Sequence, residues 1–341
     1  MKKIPNRQVH LDFHTSEMID QVGSKFSAEE FADTLKNANV EAVTLFTRCH
    51  HGNLYYDSTK YPERIHPHLK VKDMYREQAK ECRKKGIKVY LYTTICWDIR
   101  VAAEHPEWVA IDDYARISRR ETGNIFEDPG FHVDLCINSP YREFCKEQIA
   151  DALENCPVDG VLVDASFVVE CCCPRCRKSM LEKHLNPADP QDRKKHAWQI
   201  YYDFVREMTD YLHEIDSDYD IFFNKGHVGA QDIPVRDCFD YVAVESQPAN
   251  CGYMDFPVSA RYLRTWGVPV VGMTGRFLTG WGDNNSYRNQ AALEYESFSA
   301  LSYGGLCNIG DQLPPSGQLD KDMYGVCLLY TSPSPRDLST S

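Results

Sequence analysis

Residues 158–164 read Val-Asp-Gly-Val-Leu-Val-Asp, a short apolar run of strand type that ends in an acidic side chain. Seven further apolar runs also end in polar residues, whose side chains could bind a substrate or take part in catalysis. The polar ends of the eight runs lie at residues 10–14, 47–51, 93–98, 163–164, 223–224, 244–247, 273–276 and 309–312. Because segments of helix length separate the runs, the pattern predicts an α/β fold of eight βα units, the (β/α)8 or TIM barrel.

The polar strand ends would share one location in such a barrel. The C-terminal ends of all strands meet on the same face of a TIM barrel, and that face carries the active site. The pattern therefore predicts an enzyme whose substrate-binding and catalytic groups come from several strands.

Composition limits the class of partner. The 341 residues, 43% of them hydrophobic, suffice for one barrel with insertions and a sizeable core. The net charge of -12 and the pI near 5.5 argue against nucleic acid or anionic membranes as partners, since both require a basic surface. A neutral small molecule is expected instead. No segment has the length of a membrane span and residues 1–7 lack the apolar core of a signal peptide, so a cytoplasmic location is expected.

The last residues differ from the rest of the chain. Residues 326–341 are low in helix formers where a closing helix is expected, and they resemble the translated adapter tails of fragmentary metagenomic reading frames. We therefore expect a catalytic barrel over residues 1–325, lacking its natural C-terminal continuation, and a non-native or disordered tail over residues 326–341. A disordered native tail is the alternative.

Two carboxylates stand at strand ends in the arrangement that glycoside hydrolysis requires. That reaction needs one carboxylate as nucleophile or base and a second carboxyl group that can hold a proton. Asp164 and Glu245 each follow a buried apolar run directly, so we predict that they are the catalytic pair. Either one could instead orient Arg276 or a loop through an ion pair. Spacing in the sequence does not rank them against the competing carboxylates Asp12, Asp98, Glu170 and Asp311.

Histidines and aromatic residues crowd the same predicted face. Neutral imidazoles from the first two strands would bind sugar hydroxyls, although a His/Asp cluster could also hold zinc or iron. Trp97, Tyr55, Tyr56 and Trp281 could offer flat apolar surfaces to a sugar, with ordinary packing as the alternative. The predicted substrate-binding residues are His10, Asp12, His14, His50, His51, Trp97, Asn224, Arg276 and Asp311.

Several of these segments resemble known families. Residues 46–52 (Phe-Thr-Arg-Cys-His-His-Gly) resemble the His-His motif of family 29 α-L-fucosidases, and residues 158–164 resemble the strand that carries their aspartate nucleophile. Residues 10–14, 138–142 and 310–317 extend the likeness to the barrel named hypothetical glycosyl hydrolase 6, the catalytic part of family 151 α-L-fucosidases. The similarity spans residues 8–325. It implies a retaining mechanism with Asp164 as nucleophile and with His50 and His51 as sugar ligands, whereas Glu245 as general acid follows from strand geometry alone.

The chain contains fourteen cysteines, which we expect to be reduced thiols in a large chain without an export signal. Cys171, Cys173 and Cys176 form a Cys-x-Cys-x-x-Cys motif, one ligand short of a tetrahedral zinc site. The motif resembles the structural zinc cluster of family 42 β-galactosidases, and Cys136 is a candidate fourth ligand. Reduced thiols packed in a loop are the alternative. A zinc ion here would be structural, because four thiolates leave no open position for catalysis.

These features together predict a retaining, exo-acting α-L-fucosidase that requires no cofactor for catalysis. The expected partner is a fucosylated oligosaccharide or another small glycoside. The resemblance to family 151 α-L-fucosidases, which commonly carry a domain like the β-galactosidase trimerisation domain, implies a homo-oligomer for the full-length protein. A β-galactosidase-like glycosidase on the same barrel and a non-catalytic carbohydrate-binding barrel remain alternatives, since this fold hosts many chemistries.

Overall fold

The computed structural model describes residues 3–119, 132–154, 156–283 and 286–330, the last five of these as backbone only. Within these residues, eight parallel strands form one sheet that curls into a nearly closed barrel. The predicted (β/α)8 barrel is thereby confirmed. The strands are β1 (Arg7–Asp12), β2 (Ala42–Phe46), β3 (Lys88–Thr94), β4 (Gly160–Asp164), β5 (Asp220–Phe223), β6 (Val242–Glu245), β7 (Val270–Gly275) and β8 (Leu306–Gln312).

The sheet runs in the order β5-β4-β3-β2-β1-β8-β7-β6, so hydrogen-bonded pairing is continuous except between β5 and β6. Asp240, just before β6, bridges the start of that gap: its carboxylate accepts from the Ile221 N–H at 2.9 Å, and its own N–H donates to the Ile221 carbonyl at 3.1 Å. The two strands are thus joined at their N-terminal ends. Near their C-terminal ends the two strands interact through side chains.

The helices pack apolar faces onto the outside of the sheet. In the helix Pro190–Ile215, the stripe of apolar and aromatic residues is buried at Tyr201, Val205, Met208 and Leu212, as expected for a core-facing helix. The α-helices are α1 (Ala28–Asn37), α2 (Met74–Lys84), α3 (Ile99–Glu104), α4 (Tyr141–Leu153), α5 (Pro174–Glu182), α6 (Pro190–Ile215), α7 (Pro248–Cys251), α8 (Asp255–Leu263), α9 (Gln290–Ser302) and α10 (Lys321–Tyr330). Short 3-10 helices span Pro62–Arg64, Pro106–Trp108, Ala230–Cys238 and Arg264–Trp266.

The end of the described chain is helical. Helix α10 follows β8 and includes residues 326–330, the first part of the predicted tail, while residues 331–341 of that tail lie outside the described residues. The division into a barrel and a tail stays a prediction. Among the helices of the described residues, none has both the length and the apolar character needed to cross a membrane.

Candidate active site

Asp164 is the last residue of β4 and lies within a network of polar side chains at the C-terminal face of the barrel. The Tyr92 hydroxyl donates to Asp164 Oδ2 at 2.6 Å and lies 3.0 Å from His50 Nε2. Since a phenol carries a single proton, Tyr92 accepts from His50 Nε2–H while it donates to Asp164. On the other side, Asn224 Nδ2 donates to Asp164 Oδ1 at 2.8 Å. The carboxylate is therefore held in one orientation from both sides.

Glu245 ends β6 and lies close enough to Asp164 for the two charges to interact. Asn224, directly after β5, connects them, because its Nδ2 lies 2.8 Å from Asp164 Oδ1 and 3.4 Å from Glu245 Oε2. Both carboxyl groups therefore lie within reach of the same amide nitrogen.

The surroundings drive the pKa values of the two carboxyl groups apart. Burial alone would raise the pKa of Asp164, but the nearby His50 ring and the hydrogen bond from Tyr92 lower it to about 2. Burial raises the pKa of Glu245 to about 7, and the nearby charge of Asp164 adds to this, while Asn224 and the nearby Trp281 indole oppose part of the rise. Near neutral pH, Asp164 is therefore ionised and Glu245 retains a proton in a large fraction of molecules.

The predicted histidines of β1 and β2 lie beside this pair. His14 Nε2 lies 3.0 Å from Asp12 Oδ1, and His14 Nδ1 accepts from the His50 backbone N–H at 3.2 Å. Burial, together with the neighbouring His14, lowers the pKa of His50 to about 3, so that ring is neutral. Burial also lowers the pKa of His10. His51 lies half-buried in the turn that follows β2.

Aromatic rings enclose His10. Its ring contacts Phe46, Tyr92 and Trp281 edge-on, with centroid distances of 5.3 to 5.6 Å. Its Nδ1 is buried and has no hydrogen-bond partner within the part of the chain that the structure describes. A buried imidazole nitrogen in this position is suited to bind a hydroxyl group of a ligand.

Trp97 lies beside the candidate site and forms what we call the Trp97 wall. Its ring centroid lies 5.0 Å from that of His50, 4.7 Å from that of Phe167 and 4.3 Å from that of His132. The indole N–H donates to Asp134 Oδ1 at 3.0 Å, which links the wall to the insertion between β3 and α4. Trp281 stands on the opposite side, next to His10.

The remaining carboxylates that compete with Asp164 and Glu245 in the sequence have different surroundings. Asp98 is fully buried, lies 2.6 Å from Arg48 and caps α3 through the Val101 N–H. Asp311 forms a buried ion pair with Arg276, with Asp311 Oδ1 2.6 Å from Arg276 Nε.

Asp12 lies against His14, and Glu170 is exposed. The sequence allowed Asp164 or Glu245 to form an ion pair with Arg276. The ion pair described for Arg276 is with Asp311. Sugar binding by Arg276 and Asp311 stays a prediction.

Sequence reasoning missed Tyr92, whose hydroxyl connects His50 with Asp164, and it missed the wall residues Phe167 and His132. A signal for Tyr92 exists in β3. Side chains two residues apart on a strand point to the same face, so Tyr90, Tyr92 and Thr94 share the barrel interior. Tyrosines at alternate positions of an otherwise buried strand indicate hydroxyls with buried polar partners, and the Tyr90 hydroxyl does donate to Asp220.

The structure also brings together the four cysteines proposed as metal ligands. The sulfur atoms of Cys136, Cys171, Cys173 and Cys176 all lie within 4.8 Å of one another, and all four side chains are buried. Within the described residues, this is the one group of three or more His, Cys, Asp or Glu side chains that converges closely enough for a metal ion. The alternative of a metal at the histidines of β1 and β2 therefore gains no support.

Comparison with known proteins adds to the geometry. Residues 27–165 match a family model described as hypothetical glycosyl hydrolase 6. A search of curated protein sequences gave no match. Among solved structures, the chain is similar to α-L-fucosidase isoenzyme 2 from Paenibacillus thiaminolyticus, with 32% identity and a TM-score of 0.88, over 96% of this chain and 49% of that one. The chain thus spans about half the length of that enzyme.

Two more distant structures share the fold. The Thermotoga maritima α-fucosidase is 15% identical, with a TM-score of 0.53, over 90% of this chain and 55% of that one. The glycoside hydrolase domain of PgaB (BpsB) from Bordetella bronchiseptica is 14% identical, with a TM-score of 0.64, over 96% of this chain and 99% of that one. By its fold the chain is a TIM-barrel protein, and residues 27–165 of this barrel match the model of the family described as hypothetical glycosyl hydrolase 6.

Proposed function

We propose that the chain is the catalytic barrel of a retaining, exo-acting α-L-fucosidase, with Asp164 as nucleophile and Glu245 as general acid and base. The observation that carries this proposal is the pair of carboxyl groups bridged by Asn224, one with a pKa of about 2 and the other with a pKa of about 7. Two nearby carboxyl groups whose environments separate their pKa values divide the roles of base and acid between them.

The proposed reaction has two steps. In the first, the Asp164 carboxylate attacks the anomeric carbon while the bond to the leaving oxygen breaks and Glu245 gives that oxygen its proton. In the second, Glu245 takes a proton from water, and the resulting hydroxide displaces Asp164 and releases the sugar. Tyr92 and Asn224 hold the Asp164 carboxylate by one hydrogen bond each, so its orientation is fixed before the sugar binds.

The surroundings of the pair favour a neutral sugar over an anionic one. The ionised Asp164 would repel an acidic ring. Neutral His10 and His50 offer ring nitrogens to hydroxyl groups, and Trp97 offers an apolar surface. The choice of fucose rests on the likeness to the Paenibacillus α-L-fucosidase.

The stereochemical course of hydrolysis tests the mechanism. We expect 4-nitrophenyl α-L-fucoside to be hydrolysed with α-L-fucose as the first product in an NMR time course, because two displacements at the anomeric carbon restore its configuration. A first product of β configuration would show direct attack by water, and the proposed role of Asp164 would then be wrong.

The same assay separates the alternatives. Hydrolysis of 4-nitrophenyl β-D-galactoside in preference to the fucoside would indicate a β-galactosidase-like enzyme on this barrel. Binding of fucose in a calorimeter, without turnover of any nitrophenyl glycoside in the panel, would indicate a carbohydrate-binding barrel.

Gly310 on β8 provides a test of the Trp281 side of the site. A Cβ atom at this position would lie only 2.3 Å from Trp281 Cη2, so the indole must move in Gly310→Ala. We expect the free energy of unfolding to fall by about 1–3 kcal/mol, as in other overpacked sites. The KM for the fucoside should rise because the indole leaves its place beside His10.

Gly325→Ala is the matched control, since a Cβ there has no heavy atom within 4 Å. It should leave KM near its original value and should not lower the free energy of unfolding, since alanine favours a helix interior such as that of α10 over glycine. Unchanged KM in Gly310→Ala would remove Trp281 from the proposed sugar site.

A further inference from the structure

The four-cysteine group lies outside the catalytic pair, between two segments that are far apart in the chain. Cys136 lies near the end of the insertion between β3 and α4. Cys171 and Cys173 belong to the β4–α5 loop, and Cys176 belongs to the first turn of α5. All four are free thiols in the structure. Cys136 Sγ lies 3.5 Å from Cys176 Sγ and 3.9 Å from Cys173 Sγ.

These separations match a tetrahedral metal site. Four thiolates at the usual Zn–S distance of about 2.3 Å place their sulfur atoms about 3.8 Å from one another. A disulfide would require about 2.05 Å instead. We propose that Cys136, Cys171, Cys173 and Cys176 bind one Zn²⁺ ion, which fastens the insertion to the β4–α5 loop and thereby fixes the Trp97 wall of the site.

Two of the sulfur atoms accept hydrogen bonds from N–H groups, as the ligands of metal sites commonly do. The Cys173 backbone N–H donates to Cys171 Sγ at 3.4 Å, and Asn138 Nδ2 donates to Cys176 Sγ at 3.6 Å. Outer-shell donors of this kind orient metal ligands and stabilise their charge. Cys173 and Cys176 also lie at the start of α5, where the positive end of the helix dipole favours a negative sulfur.

The packing of the group explains why a metal would be needed. Among the described residues, the four cysteines form a small cluster with Ala110, separate from the main barrel core, and Ile111 and Val169 pack against it as partly buried apolar residues. So few apolar side chains contribute little burial to hold two segments together. A bound metal supplies this stability in small metal-centred clusters.

The cluster is connected to the candidate active site through both of its segments. Asp134, two residues before Cys136, accepts from the Trp97 indole N–H at 3.0 Å. On the other segment, Phe167 packs against the Trp97 ring, and its carbonyl accepts from Cys96 Sγ at 3.7 Å. Fixing the two segments to each other therefore fixes both supports of the Trp97 ring. The role of that ring as a sugar surface rests on the proposed function.

Metal analysis of the purified chain tests the ion directly. We expect elemental mass spectrometry to find close to one zinc ion per chain. In Cys173→Ser the zinc affinity should fall by more than the roughly 10–100-fold that loss of an outer-shell partner costs. Cys172→Ser is the matched control, because Cys172 is a buried neighbour outside the sulfur group, and it should retain its zinc. Binding of iron in place of zinc would overturn the proposal. So would a chain that binds no metal and whose four cysteines are oxidised, as judged by thiol titration.

Hydrogen exchange tests the fastening. Removal of zinc by a chelator should speed amide exchange in residues 132–138 and 165–177 and in the Trp97 segment, while residues 242–275 on the other side of the barrel keep their rates. Equal exchange with and without zinc would show that the ion does not join the two segments. Neither measurement uses a substrate, so a chain without fucosidase activity could still confirm the metal site, and an active chain could still refute it.

Discussion

Replacing Asp164 with glycine should lower kcat/KM for 4-nitrophenyl α-L-fucoside by roughly 10³-fold or more, the scale on which enzymes lose activity with their nucleophile. The glycine leaves an open space where the carboxylate stood. Azide can enter that space and attack the anomeric carbon, so added azide should restore nitrophenol release and yield β-L-fucosyl azide. The measurement is the rate of nitrophenol release with and without azide, together with NMR of the product.

Glu170→Gln is the control for this variant, since Glu170 is an exposed carboxylate six residues further along the chain. It should keep the original activity, and its rate should not respond to azide. Activity that survives Asp164→Gly would show that the nucleophile has to be sought among the other carboxylates. A variant that is inactive but no longer folded, as judged by circular dichroism, would be replaced by Asp164→Asn.

Replacing Glu245 with glutamine should change the pH dependence as well as the rate. Burial and the charge of Asp164 raise the pKa of Glu245 to about 7, so the proton needed by the leaving group is lost as the pH rises through about 7. We therefore expect the kcat/KM of the original chain to fall about tenfold per pH unit above that value. Glutamine does not titrate, so this fall of kcat/KM at high pH, the alkaline limb of the pH profile, should disappear in Glu245→Gln.

The loss of the general acid should depend on the leaving group. For a poor leaving group such as a sugar alcohol, the rate should fall by about 10²–10⁴-fold, the usual contribution of general acid catalysis. Fucosyl fluoride, whose leaving group needs little protonation, should react with Glu245→Gln at nearly the original rate in the first step. Glu214→Gln, an exposed change near the end of α6, is the control and should keep the limb. Persistence of the limb in Glu245→Gln would assign the acid to another group.

The expectation that Asp164 and Glu245 share one face came from the sequence alone. Each directly follows an apolar run, and parallel strands with connecting helices bring all their C-terminal ends to the same side of the barrel. The same reasoning identified Asn224, which follows β5. The sequence could not show that Asn224 lies between the two carboxyl groups. In the described residues β5 and β6 do not pair as strands and meet through Asp240 near their N-terminal ends, and this arrangement follows only from the tertiary structure.

The surroundings of other predicted site residues could not be read from strand ends. Arg276 and Asp311 each follow the expected pattern, yet in the structure they form a buried ion pair with each other. The length and direction of a side chain decide whether it reaches a neighbour or a ligand, and neither follows from spacing in the chain. The alternate tyrosines of β3 indicate hydroxyls with buried polar partners, but that the partners of Tyr92 are His50 and Asp164 follows only from the structure.

The sequence by itself determined the fold class and the face on which the polar residues gather, because strand periodicity and parallel connections are local properties of the chain. Tertiary structure decided which groups touch and how they titrate. The separated pKa values of Asp164 and Glu245 depend on burial and on partners from β2, β3 and β5. The sulfur group likewise depends on Cys136, which meets Cys173 and Cys176 from 37 and 40 residues away. Such contacts arise only when the barrel closes and brings distant strand ends within hydrogen-bonding distance.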